Sequence, residues 1–215
     1  MKKANLSEQV YEHIKNMILN LELKPGDHVP EESVAELLGC SRTPIREALR
    51  RLESEGLIFL YPKRFAAVAH YDDDAIRNIG ELRLAQDILA GQLALYYGSM
   101  SDFEELQELV KKCEEGARTG NMYERIKLDI EFHLKIAEIS RNKTLIKKQR
   151  ELYLVIYLIQ ISKYTDVEHS MQQIQHHQEI LEALVKHDAK TLKKLICAHL
   201  KEFFNISDTL IKEFL

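Results

Sequence analysis

Four side chains in the second half of this 215-residue chain have the types and the spacing to hold a metal ion. Asp129 and His133 lie four residues apart in a segment where Ile126, Ile130, Ile136 and Ala137 recur at helical spacing, so the two project side by side from one face. His177 interrupts a second stripe, Ile174, Leu181 and Leu184, whose spacing selects it over its neighbour His176. His199 interrupts a third, Leu192, Leu195, Ile196 and Phe203. A carboxylate and neutral imidazoles buried in a helical core need partners, and converging on one cation satisfies all four. Three nitrogens and one oxygen suit Zn²⁺ or Ni²⁺ first, then Mn²⁺ or Fe²⁺, with open positions wherever coordination exceeds four. One histidine on such a stripe is usually a hydrogen-bonded core residue; four coincidences weigh towards a metal centre.

A second constellation lies near the N-terminus. Arg42, Arg46 and Arg50 fall at i, i+4 and i+8 on one face of a short helix whose other face carries Ile45, Ala48, Leu49 and Leu52. Ser41 or Thr43 can cap its start, Pro44 is tolerated in the first turn, and Gly56 supplies the stop. The guanidinium fork matches both a phosphate and the O6/N7 edge of guanine, so three forks in a row suit the major groove. Before this helix, Glu31 to Leu38 predicts another, with Val34, Leu37 and Leu38 inward, and only Gly39, Cys40 and Ser41 separate the two. That is a helix-turn-helix plan. Leu57 to Ala69 then predicts two short strands around a Pro62-Lys63-Arg64 turn, a basic wing that adds Lys63 and Arg64 to the DNA-binding set.

Composition sets the surroundings. The chain is 45% hydrophobic and 30% charged, as ordinary globular proteins are, and four prolines and eight glycines leave little room for linkers. No apolar run approaches the ~20 residues of a membrane span, and no apolar run follows the N-terminal lysines as in a signal peptide. Three widely spaced cysteines, Cys40, Cys113 and Cys197, fit a reduced cytoplasm. A net charge of −4 argues against a protein that coats nucleic acid. From Arg42 to Arg64, however, six basic residues face three acidic ones, a local patch suited to a site-specific binder acting as two copies.

These residues need scaffolds. Helical periodicity predicts a first helix over 5–21, and a turn at Leu23-Lys24-Pro25-Gly26-Asp27. The expected boundary is Tyr71-Asp72-Asp73-Asp74, where acids gather at a helix start. Beyond it, helices are predicted from Asp72 to about Tyr97, Ser101 or Asp102 to Arg118, after Asn121 to Ser140, Asn142 to Tyr164, Val167 to His187 and Asp188 to Leu215. The expected fold is mainly α, a winged helix-turn-helix over 1–70 and an all-α six-helix antiparallel bundle over 71–215.

Pro25-Gly26, the run Leu37 to Leu52 and Glu55-Gly56-Leu57-Ile58 resemble the DNA-binding domain of GntR-type bacterial transcription regulators. The resemblance implies DNA contacts by Arg42, Thr43 and Arg46, with Arg50 towards phosphate. One departure is Phe65, where the family usually carries glycine after the wing arginine. Asp129-x-x-x-His133, His177-Gln178-x-Ile180 and His199 resemble the FCD-type ligand-binding domain of the FadR subfamily, in its VanR-like branch. That likeness implies a divalent ion at Asp129, His133, His177 and His199, and a small carboxylate effector completing its shell. Glu81-Leu82-Arg83 with Asp87 resembles the family's arginine and, four residues on, its usual glutamate. By that match Arg83 clasps the effector, although a salt bridge from Arg83 to Asp87 reads as well. The expectation is a cytoplasmic homodimeric regulator, a repressor, on a pseudo-palindromic duplex operator. The other readings are a metal-dependent enzyme acting on a small organic acid, and a regulator whose site is structural or empty.

Overall fold

The structure is a computed structural model that describes residues 6–62, 64–120, 122–163 and 167–215, leaving aside the side chains of residues 122 and 167–173. Lys63 therefore lies outside the described residues. Two compact units divide the chain: Met1–Tyr71 with Leu154–Ser162, and Asp72–Tyr153 with Lys163–Leu215.

In the first unit, helices α1 (Leu6–Leu19), α2 (Glu31–Leu37) and α3 (Arg42–Ser54) precede an antiparallel pair, β1 (Ile58–Tyr61) and β2 (Phe65–Val68). Val10, Ile14 and Ile18 of α1 share one core with Ile45, Ala48, Leu49 and Leu52 of α3, the last four being the stripe that the periodicity predicts. Gly39 adopts φ +59°, left-handed backbone that glycine enters without a Cβ penalty, and this turns the chain from α2 to α3. Ser41 occupies the N-cap of α3, but its side chain makes no capping hydrogen bond. Leu37, expected inward, is 68% exposed; Val34 is the buried residue of this two-turn helix. The Pro25-Gly26 turn has a further use. The Gly26 N–H donates to the Val68 carbonyl and the Val29 N–H to that of Ala66, so this segment borders the wing sheet.

Arg51 is held within the unit rather than on the basic face. Its guanidinium lies 3.6 Å from the Tyr11 ring centroid and pairs with Glu8 at 2.7 Å and Glu55 at 3.3 Å. The Tyr11 hydroxyl donates to Glu55 at 2.7 Å, so α1 is tied to the end of α3.

The second unit is all helical: α4 (Asp73–Tyr97), α5 (Met100–Arg118), α6 (Met122–Ile139), α7 (Lys143–Lys163, less the stretch belonging to the first unit), α8 (Val167–Val185), α9 (Ala189–Lys201) and α10 (Asp208–Phe214). Caps set the starts. Asp72 accepts from the Ala75 N–H, Ser99 and Asp102 form a reciprocal capping box, and Asp188 accepts from the Thr191 N–H. One expectation is corrected here, since the segment from Asp188 to Leu215 is two helices, not one. Asn205 turns left-handed at φ +50°, the Ile206 N–H closes back on the Lys201 carbonyl, and Ser207 caps α10. The bundle thus has seven helices among the described residues. This ending also buries Phe204 rather than the expected Phe203.

Phe204 is seated against Gly80 of α4. A Cβ built on Gly80 would lie 2.2 Å from the Phe204 Cβ and 2.4 Å from its Cγ, atoms that cannot swing aside. Gly80→Ala is accordingly expected to destabilise the protein by about 1–3 kcal/mol through overpacking, read as a lowered thermal midpoint. An unchanged midpoint would contradict this packing.

Candidate metal centre and nucleic-acid interface

Asp129 and His133 project from α6, His177 from α8 and His199 from α9. All four are buried, and each offers one ligand atom within 4.8 Å of the others. His133 Nε2 and His199 Nε2 are 3.0 Å apart, and His177 Nε2 is 3.1 Å from Asp129 Oδ1. The Phe132 ring stacks on His177 at 4.3 Å between centroids. Ligands about 2.0–2.2 Å from one ion are at most about 4.4 Å apart when trans and about 3.4 Å apart in a tetrahedron, so the widest pair must close by a few tenths of an ångström in the first geometry and by more than about 1 Å in the second.

The electrostatics suit ligation. Burial pushes His133, His177 and His199 below the usual imidazole range, and the Arg83 charge adds to this at His133 and the neighbouring imidazoles at His199. These rings are therefore neutral near pH 7, with a lone pair to give. Burial works to raise the Asp129 carboxyl, but the His177 hydrogen bond and the Arg125 charge outweigh it and hold the group well below the usual carboxylate range. An ionised carboxylate beside three neutral imidazoles is the donor set a divalent cation requires. Two ring nitrogens, Nδ1 of His177 and Nδ1 of His199, have no hydrogen-bond partner.

Behind this cluster stands a second polar group. Arg83 is 1% exposed, and its Nε donates to Asp87 Oδ2 at 3.2 Å, the salt bridge that its spacing allows. Its Nη2 has no hydrogen-bond partner. Gln149 Nε2 donates to Asp87 Oδ1 at 2.6 Å, and the Tyr153 hydroxyl lies 3.3 Å from both carboxylate oxygens. Burial raises the Asp87 carboxyl to about 6 against the pull of Arg83. Sequence reasoning missed Gln149, Tyr153 and the fully buried Arg125, whose Nη2 is 4.0 Å from Asp129 Oδ1. Arg125 was within reach of the same signal as the histidines: it sits four residues before Asp129, beside an inward stripe.

In the winged helix, Arg42, Thr43, Arg46, Arg50 and Arg64 are exposed. Arg42, Arg46 and Arg64 border one groove, shared with His28, Glu31 and Phe65. Arg50 joins Arg42, Arg46 and Arg64 around an adjoining hollow by Tyr61. Phe65 stacks on His28, with centroids 3.8 Å apart, and leans on Tyr61 at 4.7 Å. The side chain that replaces the customary glycine is thus anchored at the turn end of the wing, where Phe65 pairs with Tyr61.

Comparisons with known proteins agree with this build. Residues 6–68 match the family described as bacterial regulatory proteins, gntR family, and residues 78–202 match the FCD domain. The HTH-type transcriptional regulator McbR of Escherichia coli is 30% identical over 154 residues, 72% of this chain and 70% of that protein. The uncharacterized HTH-type regulator YdhC of Bacillus subtilis is 27% identical over 192 residues, 89% and 86% of the two chains. The solved structure of E. coli McbR/YncC superposes with a TM-score of 0.79 over 99% of this chain and 100% of that one, at 24% identity. A winged helix joined to a helical domain, with regulators for relatives, defines a transcription regulator and not an enzyme. The chain belongs to the GntR family, in the group that carries a C-terminal FCD domain. No helix among the described residues is long and apolar enough to cross a membrane.

Proposed function

We propose that this regulator binds a pseudo-palindromic operator as a homodimer, a repressor whose grip on DNA is set by a small carboxylic acid at a divalent ion in the helical domain. The observation that carries the reading is the buried Asp129, His133, His177 and His199 set with its ligand atoms within 4.8 Å. The ion would supply positive charge to the acid's carboxylate; Zn²⁺ or Ni²⁺ fits this donor set best, with Mn²⁺ and Fe²⁺ next. Arg83 holds the same carboxylate through its unpartnered Nη2. In the winged helix, Arg42, Thr43 and Arg46 read base edges while Arg50, Lys63 and Arg64 meet phosphates. Support for two copies comes from α4. Leu82, Leu89 and Tyr96 recur every seven residues and stay 50%, 43% and 80% exposed, the spacing at which helices pair. Domains divide at about residues 70 and 71 in this reading, and effector binding shifts the population between arrangements of the two winged helices.

The size of the acid is constrained. The space beside His133 and Asp87 has room for about one water, about 10 Å³ walled by Ala90, Ile136, Ile180 and Ile196, so an acid must push these aliphatic walls apart to enter. The rest of the acid meets aliphatic side chains, so short aliphatic acids should outbind polyhydroxylated ones. Thermal melting of the zinc-loaded protein against a panel of carboxylic acids tests this. A true ligand at a hundredfold excess over its Kd stabilises by about 2.7 kcal/mol. Arg83→Gln should keep the ion and lose that response. A panel without any response, or an undiminished response in the variant, would count against the effector site.

A further inference from the structure

The three imidazoles of the cluster are not equivalent. Nδ1 of His177 and Nδ1 of His199 have no hydrogen-bond partner, whereas Nδ1 of His133 faces Asp87 Oδ2 at 3.5 Å. The His133 ring also lies nearly parallel to that of Tyr153, at 22° and 5.9 Å, which restricts its rotation. Asp87 is itself over-determined: Gln149 holds Oδ1, Arg83 Nε holds Oδ2, and the Tyr153 hydroxyl reaches both oxygens. Asp87 is not a member of the ligand set; it stands behind it.

We infer that Asp87 is the positioning residue of the site: its carboxylate keeps His133 protonated at Nδ1, so that Nε2 faces the cluster with its lone pair, and it binds Arg83 through Nε, so that Nη2 is left for an anion. The inference rests on the proposed ion and acid and adds the group that ties them together. A metal-bound histidine generally gives its other N–H to a carboxylate or carbonyl, which fixes the tautomer and raises the basicity of the ligating nitrogen. Of the three histidines only His133 has a carboxylate oxygen close to its outer nitrogen, at 3.5 Å, so its bond to the proposed ion is the one that a change at position 87 weakens. Because one carboxylate aims both His133 and Arg83, loss of its charge disturbs cation and anion together.

The test uses the full-length protein with Zn²⁺ as probe. Asp87→Asn keeps the side chain's size and removes its charge; Asp87→Glu keeps the charge. Zinc affinity, from competition with a chromophoric chelator, should fall about 10- to 100-fold in Asp87→Asn and by only a few-fold in Asp87→Glu. Long-range proton–nitrogen NMR on histidine-labelled protein should find His133 protonated at Nδ1 in the native protein, with or without zinc, and a changed tautomer in Asp87→Asn. Zinc affinity in Asp87→Asn equal to native overturns the inference. So does a native His133 without a proton on Nδ1, a result that needs no variant to fold. Absence of zinc binding by native protein would defeat the ion reading alone, since the tautomer of the ion-free protein still decides the role of Asp87.

Discussion

A His133→Ala protein is expected to purify without the divalent ion proposed for the native chain, and His177→Ala likewise. Each change deletes one of the four proposed ligands, whose atoms lie within 4.8 Å of one another. The remaining three cannot recover the lost bond, because they sit on α6, α8 and α9 in a packed core. The loss in affinity should exceed the roughly 10- to 100-fold that removal of an outer-shell partner costs. The fold has less to lose. A neutral imidazole is replaced by a methyl group, and the Phe132 and Tyr153 rings beside His133 and the Phe132 ring on His177 remain. Elemental analysis of native and variant proteins, with circular dichroism as the folding control, reads the result. Full metal content in either variant would remove the site.

The second large effect is expected at Arg46. Replacement by alanine should cost about 1–3 kcal/mol on the operator selected by the native protein and relax base preference at one position of each half-site. Duplexes enriched from a random pool by native and variant proteins would display both changes. The structure supplies its own contrast. Arg46 is exposed beside Arg42 and Arg64 in the groove, whereas Arg51, five residues on, is engaged with Tyr11, Glu8 and Glu55. Arg51→Ala should therefore lower the melting temperature and leave base preference intact. If Arg46→Ala selects the same sequences with the same affinity, α3 is not the reading helix.

Most of the architecture was legible from short-range signals. The stripe of Ile45, Ala48, Leu49 and Leu52 and the acids around Asp72 act within a turn or two, and the structure follows them. Where the reading failed, the local signal was ambiguous. Leu37 looked as apolar as Val34, but a helix of two turns buries one row of side chains, and the row that faces the core holds Val34. Phe203 and Phe204 are equally hydrophobic, and the turn at Asn205 decides which one faces Gly80.

The site shows the same division. By itself the sequence determined that the chain is a winged helix followed by helices, and that Asp129, His133, His177 and His199 interrupt inward stripes, because helical period and capping are properties of neighbouring residues. Only the tertiary structure decided that those stripes face one another, that Asp87 backs His133 rather than either other histidine, and that Gln149 and Tyr153 hold Asp87. His133 and His199 are 66 residues apart, and Gln149 and Asp87 are 62 apart. Contacts over such separations depend on how whole helices cross, and helix crossing is settled by the fit of many side chains at once.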